Sequence, residues 1–566
     1  MDLVYFVLLC SVLIFVHELG HFVWAKIFGV KVITFSIGFG PKILRLRGRE
    51  TEYCVGILPL GGFVKMLEET RQEAVLPEDR GRTFEAQALY KRIIIVLAGP
   101  AMNIFFPVLL YFGVLLGDEQ GPPATIGFVK PGHPADGKLL PGDRVLTVDG
   151  EPIYTYAELR EAIQASPERE MRLGVFRGRE RIEVGVVPQA KRVEKPLEIV
   201  DVIGELGIGP SQPAAVIGVP RSDSPAYRAG LRSFDVVIEV RGKPIKRFSE
   251  LEAALAENRG ETVPVAYLRP VRVRNAVGTL AELSVYESGV AALTPEATIS
   301  GGTTQPTGVV SLFKKTGIEP ADLYVADVPE GSAEWQADLR AGDRIVAVDE
   351  QEVSAWVSFE ERLFAAPDKP HVVSWERQGL RKSGVLQLRR EVYLDEYGRE
   401  RPKYSLRARN WAPVVPEPAV ENPRAVRHAI VGAFRETYDV ARFIVVGIVR
   451  IAEGKVSLST LGGPITVYDV VGEERAKGVS YFVWAMAVIS INLGLINLLP
   501  VPVLDGGHLL FFLFEAVLRR PLPLRVREIA SLVGMLALLL IMGIAFKNDV
   551  ERRWDVIRAQ LEELRR

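Results

Sequence analysis

LVYFVLLCSVLIFVHELGHFVWAKIF, residues 3–28, is the stretch on which the reading of this chain turns. Apart from Lys26 near its end, its charge-bearing residues fall in one place, HELGH at 17–21. At 1.5 Å per residue a helix of this length crosses a hydrocarbon layer of about 30 Å. Asp2 stands where a secretory signal carries basic residues, and no small-residue cleavage site closes the run. The segment therefore reads as a retained membrane helix. A charged side chain at mid-membrane costs about 2.5–3.5 kcal/mol on insertion scales, so one kept there is tied to function.

On a helix, His17 and His21 project from one face, within reach of a single ion. Glu18 can reach water at that ion without ligating it. This is the HExxH arrangement of two zinc ligands and a general base, which makes Zn2+ the expected cofactor. A chance motif, or two histidines paired with a neighbouring helix, would carry the insertion penalty with nothing in return.

A catalytic zinc takes a third protein ligand and leaves a fourth position for water. The candidate lies in NLGLINLLPVPVLDGGHLLFF, 492–512, where Asp505 follows an apolar run broken by Pro500 and Pro502. Irregular backbone at membrane depth is tolerated where it lines protein or a wet cavity, and Gly506 and Gly507 allow close approach. His508 is the rival ligand. Asn492 and Asn497 lie in the same span, either as interhelical hydrogen-bonding groups or as holders of substrate backbone or a polarised carbonyl.

Four segments are apolar and long enough to span: 3–28, 93–116, 479–499 and 529–546. The loop 31–92 carries Lys42, Arg45, Arg47, Arg49, Lys65, Arg71, Arg80, Arg82 and Lys91, and the last span is preceded by Arg519, Arg520, Arg525 and Arg527. The positive-inside rule puts both loops in the cytoplasm and the large middle region outside. His17, His21 and Asp505 then fall at similar depth. The segment 428–453 is hydrophobic but carries Arg435, Glu436, Asp439 and Arg442, which suits an amphipathic helix on the membrane surface or packed on protein.

The polar middle contains a repeat: PGDRVLTVDGEPI (141–153), RSFDVVIEVRGKPI (232–245) and RAGDRIVAVDEQEV (340–353). Each is a turn, an alternating strand and another turn. A proline-rich, charged stretch at 399–423 reads as an extended linker. A chain of 566 residues accommodates several such domains, its net charge of -1 argues against nucleic acid as a partner, and two cysteines exclude a disulfide framework.

The repeats resemble PDZ domains over 122–190, 214–290 and 307–390. HELGH in the first span, this central region and NLLPVPVLDGG in the third span together resemble the site-2 protease family. The match is closest to the bacterial regulator-of-sigma-E protease branch, with YCVGILPLGGFVKM (53–66), AGPAMNIF (98–105) and LSTLGGPI (458–465) adding to it. The resemblance implies an intramembrane zinc endopeptidase of the bacterial inner membrane. Such enzymes cut single-span membrane proteins, among them anti-sigma factors and signal-peptide remnants.

It implies His17, His21 and Asp505 as zinc ligands, Glu18 as the base, and Asn492 and Asn497 in substrate handling. Residues 36–40 with 54–66 resemble a membrane-associated β-structure offering a strand edge, and the PDZ-like repeats would take peptide C-termini. The chain departs from the best-known relatives in carrying three repeats where they carry two.

The expected fold is a polytopic α-helical membrane protein with four transmembrane helices and extracytoplasmic β-rich PDZ-like domains. Its units are helix 1 (1–30), the β loop (31–92), helix 2 (93–117), the three repeats, the linker, the amphipathic helix (428–453), helix 3 with LDGG (479–518) and helix 4 (529–547). Two other classes fit parts of the sequence: a non-catalytic membrane scaffold built on the repeats, and a metal transporter or sensor using His17, His21 and Asp505.

Overall fold

The computed structural model describes residues 2–67, 76–117, 120–256, 260–272, 284–296, 309–394 and 400–563. Arg71 of the basic loop, 257–259 and 273–283 of the middle repeat, 307–308 of the third and Arg399 of the linker lie outside these. The chain divides into two compact units, one from Met1–Glu119, Leu394–Arg399 and Pro423–Arg566, the other from Gln120–Tyr393 and Glu400–Asn422.

In the first unit, four helices among the described residues are long and apolar enough to cross a membrane: Asp2–Ile27, Leu89–Gly117, Val479–Asn497 and Leu524–Trp554. Small residues let their backbones meet, as packing between apolar helices requires. A Cβ added at Gly20 would lie 2.3 Å from the Ala98 carbonyl oxygen, and one at Gly494 would lie 2.9 Å from that of Pro100. The second helix is thereby gripped on two sides.

The segment 479–518 is not one helix. The third span stops at Asn497 and a new helix, Asp505–Leu518, starts beyond residues 498–504. Pro500 and Pro502 have no N–H to offer the carbonyls four residues back, and the chain doubles back so tightly that a Cβ at Gly506 or Gly507 would meet backbone oxygens at 2.3 Å. The last helix also outruns 529–547, extending over Leu524–Glu563.

The amphipathic segment forms a helix, Ala425–Ala452, resting on protein. Ala433 shares a buried cluster with Tyr111, Ala487 and Ile491, while Ile430, Phe434 and Tyr438 are exposed.

Two long strands, Val32–Arg47 and Glu52–Met66, follow the first helix. Thr34 pairs with both Glu52 and Lys65, and Ile37 with both Val55 and Gly62, so each strand bends and the pair forms a small meander. Gly38 and Gly40 make the bend in the first strand at φ of 87° and 85°, backbone that favours glycine.

In the second unit each repeat is a four-stranded antiparallel sheet of identical order with one helix against it. The helices are Tyr156–Gln164, Phe248–Ala256 and Trp356–Ala365, and each repeat has its own apolar core, which reaches past the expected bounds: Leu206 joins the first, Leu312 and Ile318 the middle one rather than the third, and Ala408 the third. Beneath each sheet a buried aspartate accepts a turn N–H at 2.8 Å and pairs with an arginine on the third strand of the repeat. The pairs are Asp143–Arg177, Asp235–Arg269 and Asp343–Arg377, all 34 residues apart.

The stretch read as a linker is not free-running. It adds short strands to the second unit, with Asn410 on Val325, Val415 on Gln212 and Val420 on Gly121. Extended backbone offers its N–H and C=O groups to any open edge, and prolines at 413, 416 and 418 keep the last two pairings to two residues.

Candidate metal centre

The first helix and the helix that starts at Asp505 bring three donor atoms together. Nε2 of His17 lies 3.1 Å from Oδ2 of Asp505, Nε2 of His21 lies 3.5 Å from the same oxygen, and the two Nε2 atoms are 3.3 Å apart. Ligands about 2.0–2.1 Å from a tetrahedral zinc stand about 3.3 Å from one another, so the donor set fits that ion without rearrangement. It is the one such group among the described residues.

The surroundings of His21 leave one ring nitrogen open to the donor group. Its Nδ1 lies 2.8 Å from the Ile95 carbonyl oxygen, which only accepts, so Nδ1 carries the proton and Nε2 keeps a lone pair. The ring fits because residue 99 is glycine: a Cβ there would lie 2.3 Å from Nε2. Asn103, on the same second helix, places Nδ2 3.2 Å from Nδ1 of His17. Glu18 is buried, interacts electrostatically with His21, His17 and Asp505, and is closed in by the β-structure, where a Cβ at Gly62 would approach its Cγ to 2.9 Å.

Asp505 is braced from two directions. Ser531 of the last helix donates to the Pro502 carbonyl at 3.2 Å. Arg92 reaches Glu515 at 2.6 and 3.2 Å and lies over the Phe512 ring, fastening the Asp505 helix to the second helix.

The profile of peptidase family M50 matches residues 5–541. The chain belongs to that family. The regulator of sigma-E protease RseP of Salmonella typhimurium is 29% identical over 562 residues, covering 97% of this chain and 98% of that protein. Its namesake in Escherichia coli K12 is 29% identical over 560 residues, with the same coverage. Among solved structures, the PDZ domain of the SdrC-like protein of Listeria monocytogenes is 17% identical and covers 15% of this chain and 85% of that one, at a TM-score of 0.13.

This M50 peptidase is a multi-pass intramembrane zinc metalloprotease. Of the residues singled out in the sequence, His17, His21 and Asp505 come together. His508 is exposed, with its ring centroid 6.3 Å from that of Phe511 and outside the donor group. Asn492 is exposed on the third span and Asn497 is half-buried at its end; the donor group forms without either. Ile95, Gly99 and Asn103 went unassigned in the sequence. An asparagine inside an apolar span is the same kind of signal that marked the histidines, whereas a glycine and a carbonyl give none.

Proposed function

We propose that His17, His21 and Asp505 hold the zinc, with Glu18 as general base, for cleavage of single-span membrane proteins within the bilayer. The observation that carries this reading is the convergence of three metal-ligating atoms, at 3.1–3.5 Å, from helices almost 500 residues apart. When bound, zinc supplies Lewis acidity, bringing the ionisation of water to near pH 7 and drawing charge from a carbonyl. Glu18 takes the proton of the attacking water and returns it to the departing amine.

A substrate helix has its carbonyls engaged in i-to-i−4 bonds and must first unwind. Residues 62–64 pair with 35–37 on one side, and no further strand is laddered to them among the described residues. That free edge, beside Glu18, is where an unwound substrate would find backbone partners. Asn492 and Asn497 would hold the substrate further along.

Relatives named as regulators of sigma-E protease support anti-sigma-factor-like proteins as substrates, with signal-peptide remnants as a second class of the same single-span kind. The bacterial relatives support an inner-membrane location, and the basic loops support repeats outside the cytoplasm. The repeats are assigned to controlling access. In the first of them Gly207 and Gly209 turn their carbonyls to the neighbouring strand, and the outward carbonyl of Ile208 is already taken by the Tyr156 hydroxyl at 2.8 Å. A peptide C-terminus would have to displace that bond.

Glu18→Gln in the reconstituted enzyme tests the reading. Zinc content should match the wild type while cleavage of a single-span substrate falls about 10²–10⁴-fold. Undiminished cleavage would sink it.

A further inference from the structure

We infer that Asn103 fixes the tautomer of His17 for metal binding, doing for that ring what the Ile95 carbonyl does for His21. The inference rests on the ligand set proposed above. Asn103 is fully buried in the second helix, and its own carbonyl accepts from Ser490 Oγ of the third span at 2.8 Å, so two helices hold its position. Its Nδ2 lies 3.2 Å from Nδ1 of His17, while its Oδ1 is buried with no hydrogen-bond partner.

The two ends of a side-chain amide have nearly the same shape, and the bonds it makes decide which way it faces. With Nδ2 toward the ring, Nδ1 of His17 is a bare acceptor and the ring proton sits on Nε2. That is the atom facing His21 and Asp505, and an N–H cannot ligate a cation. With the amide turned end for end, Oδ1 accepts from Nδ1–H, the stranded oxygen gains a donor, and Nε2 offers its lone pair to the metal. Asn103 is thus a positioning residue, acting through His17.

The test uses the full-length enzyme in detergent, with zinc affinity read by chelator competition. Asn103→Leu keeps the bulk and removes the acceptor; Asn103→Asp keeps an acceptor. Zinc affinity should fall about 10–100-fold in Asn103→Leu and stay within about threefold of wild type in Asn103→Asp. Wild-type affinity in Asn103→Leu overturns the inference, and so do equal losses in both variants, which would mark packing alone. Should Asn103→Leu not fold, Asn103→Ala carries the same comparison. His17→Ala separates the two readings: zinc held at wild-type strength overturns both, whereas zinc lost there but kept in Asn103→Leu overturns only this one.

Discussion

Arg92 and Glu515 clasp each other in a two-pronged ion pair, at 2.6 and 3.2 Å, between the second helix and the helix that opens with Asp505. The second helix also carries the His21 acceptor at Ile95, so the pair links the two helices on which the donor group depends. Both side chains are largely buried, at 14% and 19% exposure. Breaking such a pair leaves a charge without compensation, at a cost on the order of 2–4 kcal/mol. Arg92→Gln and Glu515→Gln should each lower the melting temperature and weaken zinc retention. The double exchange Arg92→Glu with Glu515→Arg should recover much of both, and failure to recover either would argue against that link.

Gly99→Ala isolates one contact. Alanine normally favours a helix by about 1 kcal/mol over glycine. Here its methyl would fall 2.3 Å from Nε2 of His21, so the ring must move away from Asp505. Zinc affinity should drop about 10–100-fold, as for losses in a metal site's supporting shell. Gly113→Ala on the same helix meets no atom within 4 Å and should be neutral or slightly stabilising in the same measurement.

The legible part of this protein was the part in which chemistry and apolarity conflict. His17, Glu18, His21 and Asp505 stand out because a polar group in a membrane span needs a reason. Asn103 carries the same kind of signal, but nothing in the sequence points to His17 as its partner. The break between Asn497 and Asp505 was written in two prolines, yet where the next helix starts depends on Gly506 and Gly507 packing on the Leu498, Leu499 and Val501 carbonyls. For 400–422, proline richness reports an extended chain and says nothing of which edges it meets. The repeats were visible in their turns, while the arginine that neutralises each aspartate lies far along the chain.

Those arginines yield a prediction about the middle repeat, whose turn reads Ser233-Phe234-Asp235 where the others have Gly before Asp. Asp235 is fully buried and bonded to Arg269 as Asp143 is to Arg177 and Asp343 to Arg377. Arg177→Met, Arg269→Met and Arg377→Met should therefore cost their repeats similar amounts. We expect on the order of 2–3 kcal/mol, below a fully buried pair because each arginine is partly solvated. Hydrogen exchange of each sheet would register the loss, and a markedly smaller effect at Arg269 would mean the middle repeat is held differently.

In the third repeat, a bond from the His371 ring and another from the Val372 N–H hold the Asp349 carboxyl below the usual carboxylate range. A depressed carboxyl stabilises the fold above its unfolded value of about 3.9. That contribution is lost as pH falls through the lower, folded value. Protection of the strand His371–Arg377 against exchange should thus weaken on acidification into that range. Asp349→Asn should flatten this part of the pH dependence, and an unchanged profile would remove Asp349 from the explanation.

Asp549 caps a helix to which it does not belong. The helix Pro464–Lys477 begins after Gly463, which has no side chain to satisfy the first N–H groups. Asp549, on the last helix, supplies the missing acceptor: it takes the N–H of Gly463 and of Ile465 at 2.9 Å and that of Thr466 at 3.1 Å. The neighbouring Asn548 donates to the Leu458 carbonyl at 2.8 Å, so the loop 458–463 is held from both sides. Capping groups are worth about 0.5–2 kcal/mol each, and this carboxylate also meets the positive end of the helix dipole. Asp549→Ala should raise exchange at residues 465–467 by about tenfold, with each 1.4 kcal/mol of lost protection counting as one decade. Asp549→Asn keeps one acceptor oxygen and should fall between. If both variants exchange like the wild type, the helix start is held by something other than this carboxylate.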